Sequence, residues 1–222
     1  MNKKTLLLVE GALMIAMAAA LEFVSKMAGL ELPFGGSVTF GAMLPIVLFA
    51  YRHGVRWGLG VGLVYSFVQL MMGMKTVSVF FLPGEGRMIL WQAVLVCLMD
   101  YILAYTVLGF GGVLRGKAKN DSLGLLGGVG LALGLRYLVH IISGYIFFGA
   151  WAEWFFTEGY GNARIGGWML DNFSGAQLSL IYSVFYNGLY MVPEMILTAV
   201  LAVILGRIRP VVRFGKTVEK RA

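Results

Sequence analysis

The 222 residues are 59% hydrophobic and only 13% charged, with a mean hydropathy of +0.81, an apolar share well above that of ordinary soluble domains. This excludes a soluble globular enzyme and indicates an integral membrane protein. Its glycine-interrupted apolar runs lack the alternation of a membrane barrel, so helices must satisfy the backbone. The net charge of +7 and pI near 9.6 do not argue for nucleic acid, because the basic residues sit between apolar runs, where they orient a membrane protein.

In chain order, six apolar spans are expected at 5–28, 39–51, 55–73, 88–113, 122–148 and 177–208. Lys3 and Lys4 before the first span resemble a signal peptide, but no A-x-A exit into a polar segment follows, so the run reads as a retained helix. The second span is short for a crossing of about 20 residues. It contains Pro45, which predicts a kink or a partly re-entrant segment. Four basic groups separate the spans: Lys3 and Lys4; Arg52 and Arg56; Arg115, Lys117 and Lys119; and Arg207, Arg209, Arg213, Lys216, Lys220 and Arg221. Six crossings place all four on one side, the cytoplasm by the positive-inside rule. The expected fold is an all-α integral membrane protein of the cell membrane. It is a six-transmembrane-helix bundle forming a single membrane domain, both termini cytoplasmic.

Connectors 29–38, 74–87 and 149–176 then face outward. The last holds Trp151, Trp154, Phe155, Phe156, Tyr160 and Trp168, the make-up of an interface anchor or of a lid over a site. The first span carries Ala12, Ala16 and Ala20 at spacing four, a stripe that lets another helix approach closely. It serves either internal packing or the docking of a separate membrane subunit. Glu10 and Glu22, near the ends of this span, are expected to snorkel to the interface. Gly215, Lys216 and Thr217 resemble the end of a P-loop, but Pro210 stands where the opening glycine belongs and no strand precedes it. ATP-driven work would need a partner.

The polar residues inside the spans are the site candidates. Arg136, Tyr137 and His140 share one helical face; Asp100 and Tyr101 interrupt the fourth span, and Tyr182, Asn187 and Glu194 the sixth. At about 1.5 Å per residue, Asp100, His140 and Asn187 lie roughly 18, 12 and 15 Å from the outer ends of their helices, which predicts one polar pocket open to the outside. A buried aspartate needs a partner, either Arg136 or a cationic ligand, and nearby aromatic rings favour the cation. With His53 at the other side and Cys97 the single cysteine, no metal site is expected. An intramembrane enzyme using His140 and Asp100 as acid and base is the alternative of another class, although a nucleophile such as Ser143, three after His140, needs a base oriented by a third group, and Asp100 is as easily a ligand counter-ion. Glu194, after Pro193, is expected to support a helix kink.

At these residues the chain resembles a known family. LMDYILAY at 98–105, LRYLVHIISGYIFFG at 135–149 and SLIYSVFYNGLYMVPE at 179–194 are similar to runs of the thiamine-specific S component of energy-coupling factor transporters, the YuaJ type. The alanine stripe and GGSVTFGAMLPIVLFAYRHG at 35–54 extend the resemblance over most of the chain. It implies a substrate-binding subunit that takes thiamine from outside and works with a transmembrane coupling subunit and two ATPases. Asp100 would then meet the thiamine cation with Tyr101 beside it, His140, Tyr182 and Asn187 would complete the contacts, and Ala12, Ala16 and Ala20 would form the docking stripe. The resemblance implies no cofactor. This chain departs from the pattern at Gly36, where some members place an aromatic, and at Phe148, where a tryptophan is usual. Its fifth connector is also longer. A tryptophan of that connector, or Trp91, is left to supply a stacking face. The same architecture with another small vitamin or precursor is the nearer alternative.

Overall fold

The computed structural model describes residues 2–32 and 35–213. In chain order the helices are α1 (Lys3–Met27), α2 (Leu44–His53), α3 (Val55–Met72), α4 (Met74–Phe81), α5 (Leu90–Gly112), α6 (Asp121–Phe147), α7 (Ala163–Asn172), α8 (Gly175–Gly206) and α9 (Arg209–Val212). Five of these, α1, α3, α5, α6 and α8, are long and apolar enough to cross a membrane. Their ends fall within about two residues of the expected spans because polar caps mark them: Asn120, for example, accepts a hydrogen bond from the Leu123 backbone at the start of α6.

The expected second span is realised as α2, only 10 residues long, whose residues Leu44 to Tyr51 are all buried. Pro45 lies in the first turn, where its missing N–H removes no intrahelical bond, so it starts the helix instead of kinking it. The irregular backbone just before α2 is also buried, with Thr39 at 1% and Ala42 at 0% exposure. Such backbone is tolerated at depth only when protein surrounds it.

The bundle has two different ends. At the basic end, Arg213 donates to Asp121 at 2.6 Å and Tyr51 lies 3.5 Å from the same carboxylate. This ties the end of α2 and the start of α6 to Arg213 of the fourth basic group; Lys216, Lys220 and Arg221 lie outside the described residues. Here helices touch through glycine. A Cβ on Gly109 would stand 2.3 Å from the Leu59 nitrogen, and one on Gly112 2.5 Å from the Ala50 carbonyl. Glu10 does not snorkel: it is 6% exposed and binds Arg52 at 2.6 Å and His53 at 2.9 Å, because α2 ends beside it within the bundle. Glu22 is also buried, meeting Ser37 at 3.3 Å and Lys26 at 3.7 Å.

The opposite end carries the connectors 29–38, 74–87 and 149–176. The last is an ordered cap of short helical turns and α7. Its Phe155 and Phe156 are 2% exposed and pack edge-on against Tyr182, Tyr186 and Phe185 of α8. Edge-to-face rings add about 0.5–1.5 kcal/mol each beyond their buried area, which is enough to hold the cap on the helix.

Candidate functional site

A cavity opens among α4, α5, α6, α8 and the segment before α2. Its volume is about 120 Å³, several times the space a single buried water needs, so it suits a small organic molecule. Asp100, Tyr101, His140, Phe148, Tyr182 and Asn187 all line it; of these, Asp100, His140 and Asn187 are the three that helix rise places at a common depth.

Local backbone explains how they converge. Residues Leu98–Leu103 form a π turn within α5, a wide turn frequent at functional sites. It lets the adjacent Asp100 and Tyr101 both face the cavity. Gly73 leaves room for the Tyr101 side chain, and Gly144 for Ser183 and Asn187, since a Cβ on Gly73 would lie 2.5 Å from the Tyr101 hydroxyl and one on Gly144 would collide with the Ser183 hydroxyl and stand 3.1 Å from Asn187 Nδ2.

The polar contacts form one network. Asp100 Oδ1 is 2.9 Å from His140 Nδ1, and Ser143 Oγ donates to Asp100 Oδ2 at 2.8 Å. Asn187 Nδ2 donates to the His140 carbonyl at 3.2 Å, and the Tyr190 hydroxyl donates to Asn187 Oδ1 at 2.7 Å. His140 Nε2 is buried without a partner. The Asp100 side chain keeps 19% exposure, so its negative charge is held in place yet still faces the cavity. Ser143 gives its proton to Asp100, not to a histidine base, so the trio lacks the nucleophile–base contact of covalent catalysis.

Arg136 does not clasp Asp100. It lines the cavity one turn below His140 and donates to the Tyr105 hydroxyl at 3.0 Å, its guanidinium carbon 4.4 Å from the centre of that ring. Tyr137 is turned away from the cavity: one residue on from Arg136 is about 100° around the helix, and its hydroxyl donates to the Val184 carbonyl at 2.7 Å. Trp91 also stays out of the lining, 56% exposed at the start of α5. Nor do Trp151, Trp154 or Trp168 line it. The aromatic wall is made by Phe148 with Phe80, their ring centres 5.9 Å apart, and by Tyr182 and Tyr186 with Phe155 behind them.

Sequence reasoning missed Thr76, Phe80, Tyr105, Tyr186 and Tyr190 as lining residues. The tyrosines were recoverable, because Tyr101 and Tyr105, and Tyr182, Tyr186 and Tyr190, repeat at spacing four on the faces that carry Asp100 and Tyr182. Thr76 and Phe80 lie on α4, which a connector reading hides. Glu194 is fully buried and binds Thr39, a partner on another segment. Ala12, Ala16 and Ala20 are exposed on the outer face of α1, so they do not pack inside this chain.

Fold and site together define a multi-pass helical membrane protein with a polar, aromatic-walled cavity sunk into one end. The family model described as "Thiamine transporter protein (Thia_YuaJ)" matches residues 8–156. The chain is 30% identical over 213 residues to the thiamine transporter ThiT of Bacillus subtilis, covering 92% of each. It is 26% identical over 164 residues to the ThiT of Lacticaseibacillus paracasei, covering 68% of this chain and 72% of that one. A solved structure of ThiT from Listeria monocytogenes has the same fold, with a TM-score of 0.64 at 22% identity over 94% of this chain and 97% of that one. The chain therefore belongs to the Thia_YuaJ family of thiamine transporter proteins, a family of transporters and not of enzymes.

Proposed function

We propose that this protein is the substrate-binding membrane subunit of a vitamin importer and that thiamine occupies the cavity. The observation that carries the reading is Asp100: a carboxylate deep in an apolar bundle, fixed by His140 and Ser143, with the neighbouring guanidinium of Arg136 directed to Tyr105. An anion held at this depth and facing the cavity is balanced by a cationic ligand. Thiazolium is a permanent cation, and the aromatic walls attract it. Asn187, His140 and Tyr182 suit the edge of an aminopyrimidine. The names of the relatives, thiamine transporters, support the same ligand.

Transport in this reading is driven from outside the chain. A transmembrane coupling subunit docks on the exposed alanine stripe of α1 and two ATPase subunits hydrolyse ATP; the S component itself needs no cofactor. The exposure of Ala12, Ala16 and Ala20 supports docking over internal packing. The test is mass spectrometry of ligand co-purified from thiamine-fed cells, with titration calorimetry of thiamine into the stripped protein. Thiamine released unchanged and rebound in a 1:1 ratio is the expected outcome. A different compound in the cavity, or no binding, overturns the assignment.

A further inference from the structure

Glu194 lies on α8 at 0% exposure, and the binding step proposed above does not use it. Its carboxylate takes the Thr39 backbone N–H at 2.6 Å and the Thr39 hydroxyl, shared between its two oxygens, at 2.7 and 2.8 Å. Thr198 adds a longer bond at 3.3 Å, and the Thr39 hydroxyl oxygen accepts from the Ala42 backbone at 2.9 Å. A carboxyl group at such depth needs its oxygens hydrogen-bonded, and Thr39 supplies most of those bonds.

The position of this contact matters for the cavity. Tyr186, Tyr190 and Glu194 are four residues apart on one face of α8, and they touch Gly35, Gly36 and Thr39 in the same order. The Tyr186 hydroxyl donates to the Gly35 carbonyl at 3.0 Å. Gly36, at φ +83°, lies so close to Tyr190 that a Cβ would stand 2.6 Å from the ring. Gly35, Gly36, Tyr186 and Tyr190 are all cavity lining. The ties of this segment to α1, Phe40 N–H to Ser25 at 2.9 Å and Ser37 to Glu22 at 3.3 Å, do not touch the lining.

We infer that Glu194 is a positioning residue for ligand retention: by pinning Thr39 it fixes the register in which Gly35 and Gly36 close the cavity wall against Tyr186 and Tyr190. Glu194 takes both the backbone N–H and the hydroxyl of Thr39, whereas the Tyr186 hydroxyl donates a single bond to Gly35 and the Tyr190 ring only packs against Gly36, so of the three contacts it is the one that sets the register. The inference rests on the reading that this cavity holds the transported ligand.

The experiment measures thiamine association and dissociation by stopped flow, with the melting temperature of the ligand-free protein, for the parent and for Glu194→Gln, Thr39→Val, Thr39→Ser and the Glu194→Gln/Thr39→Val double variant. Dissociation is expected to accelerate about tenfold in Glu194→Gln and in Thr39→Val. Association should stay within about threefold, because interface changes act mainly on the off-rate. Thr39→Ser, which keeps both donors, should behave as the parent. The double variant should be no worse than the more damaged single, since both remove one contact. Unchanged dissociation in Glu194→Gln overturns the inference, as do single effects that multiply in the double. A parallel fall of melting temperature and affinity that Thr39→Ser shares also overturns it, because that is a merely structural role. If Glu194→Gln does not fold, Thr39→Val and Thr39→Ser decide. A parent that does not bind thiamine sinks the functional reading and this inference with it, whereas a binding parent with an unaffected Glu194→Gln sinks this inference alone.

Discussion

The two ends of the bundle are built on opposite packing rules. Near the basic end, glycines on α3, α5 and α6 bring backbones into contact: a Cβ on Gly58 would meet the Gly109 Cα at 3.0 Å, and one on Gly128 the Gly111 carbonyl at 2.4 Å. At the other end, tyrosines, phenylalanines and a bonded polar network hold the helices apart around a cavity. Helices in a bilayer gain little from hydrophobic burial and associate through close packing and hydrogen bonds. One chain uses close packing where it needs a base and hydrogen bonds where it needs space.

The contrast is broken most severely at Gly109. Gly109→Val places a branched side chain against the α3 backbone, which cannot step aside. Overpacking of this kind costs about 3 kcal/mol, and the melting temperature should fall by roughly 10 °C if folded protein is recovered at all, as fluorescence-detected size exclusion would show. Asp100→Asn acts only at the cavity end. It removes the charge facing the ligand while keeping the shape, so thiamine affinity should drop about 30- to 150-fold by calorimetry with the ligand-free melting temperature held or raised. Tyr186→Phe deletes one neutral hydrogen bond to the Gly35 carbonyl, and roughly fivefold weaker binding is expected. Ala16→Leu and Trp91→Ala belong to neither packing regime, since both positions are exposed. Binding should stay within about twofold. In the proposed docking arrangement, Ala16→Leu should nevertheless abolish uptake in vesicles reconstituted with the proposed energising subunits, and uptake at the parent's rate would overturn the docking role of the stripe.

Much of this was legible in the chain. Hydropathy placed the long helices within a few residues, because a bilayer imposes length and apolarity on any segment that crosses it. Counting residues down three helices put Asp100, His140 and Asn187 at one level, and they form one bonded network. The failures share a cause. Tyr137 sits on nearly the right face and Trp91 on the right helix, but the angle around the axis and the depth at the helix end decide what lines a cavity, and neither is fixed by spacing alone. By sequence position Glu10, Glu22 and Glu194 look like local features of their own helices. Their partners, Arg52, Ser37 and Thr39, come from other elements.

What the amino-acid order determined by itself was a helical membrane bundle and the set of polar residues within it, because solvation by lipid is a property each segment meets alone. What only the tertiary structure decided was which of those residues face one another. The π turn that aims Asp100 and Tyr101 together, the diversion of Arg136 to Tyr105 and the reach of Glu194 to Thr39 each join groups whose meeting depends on how helices are rotated and brought close. Rotation is set by packing among neighbours, and no segment carries that information on its own.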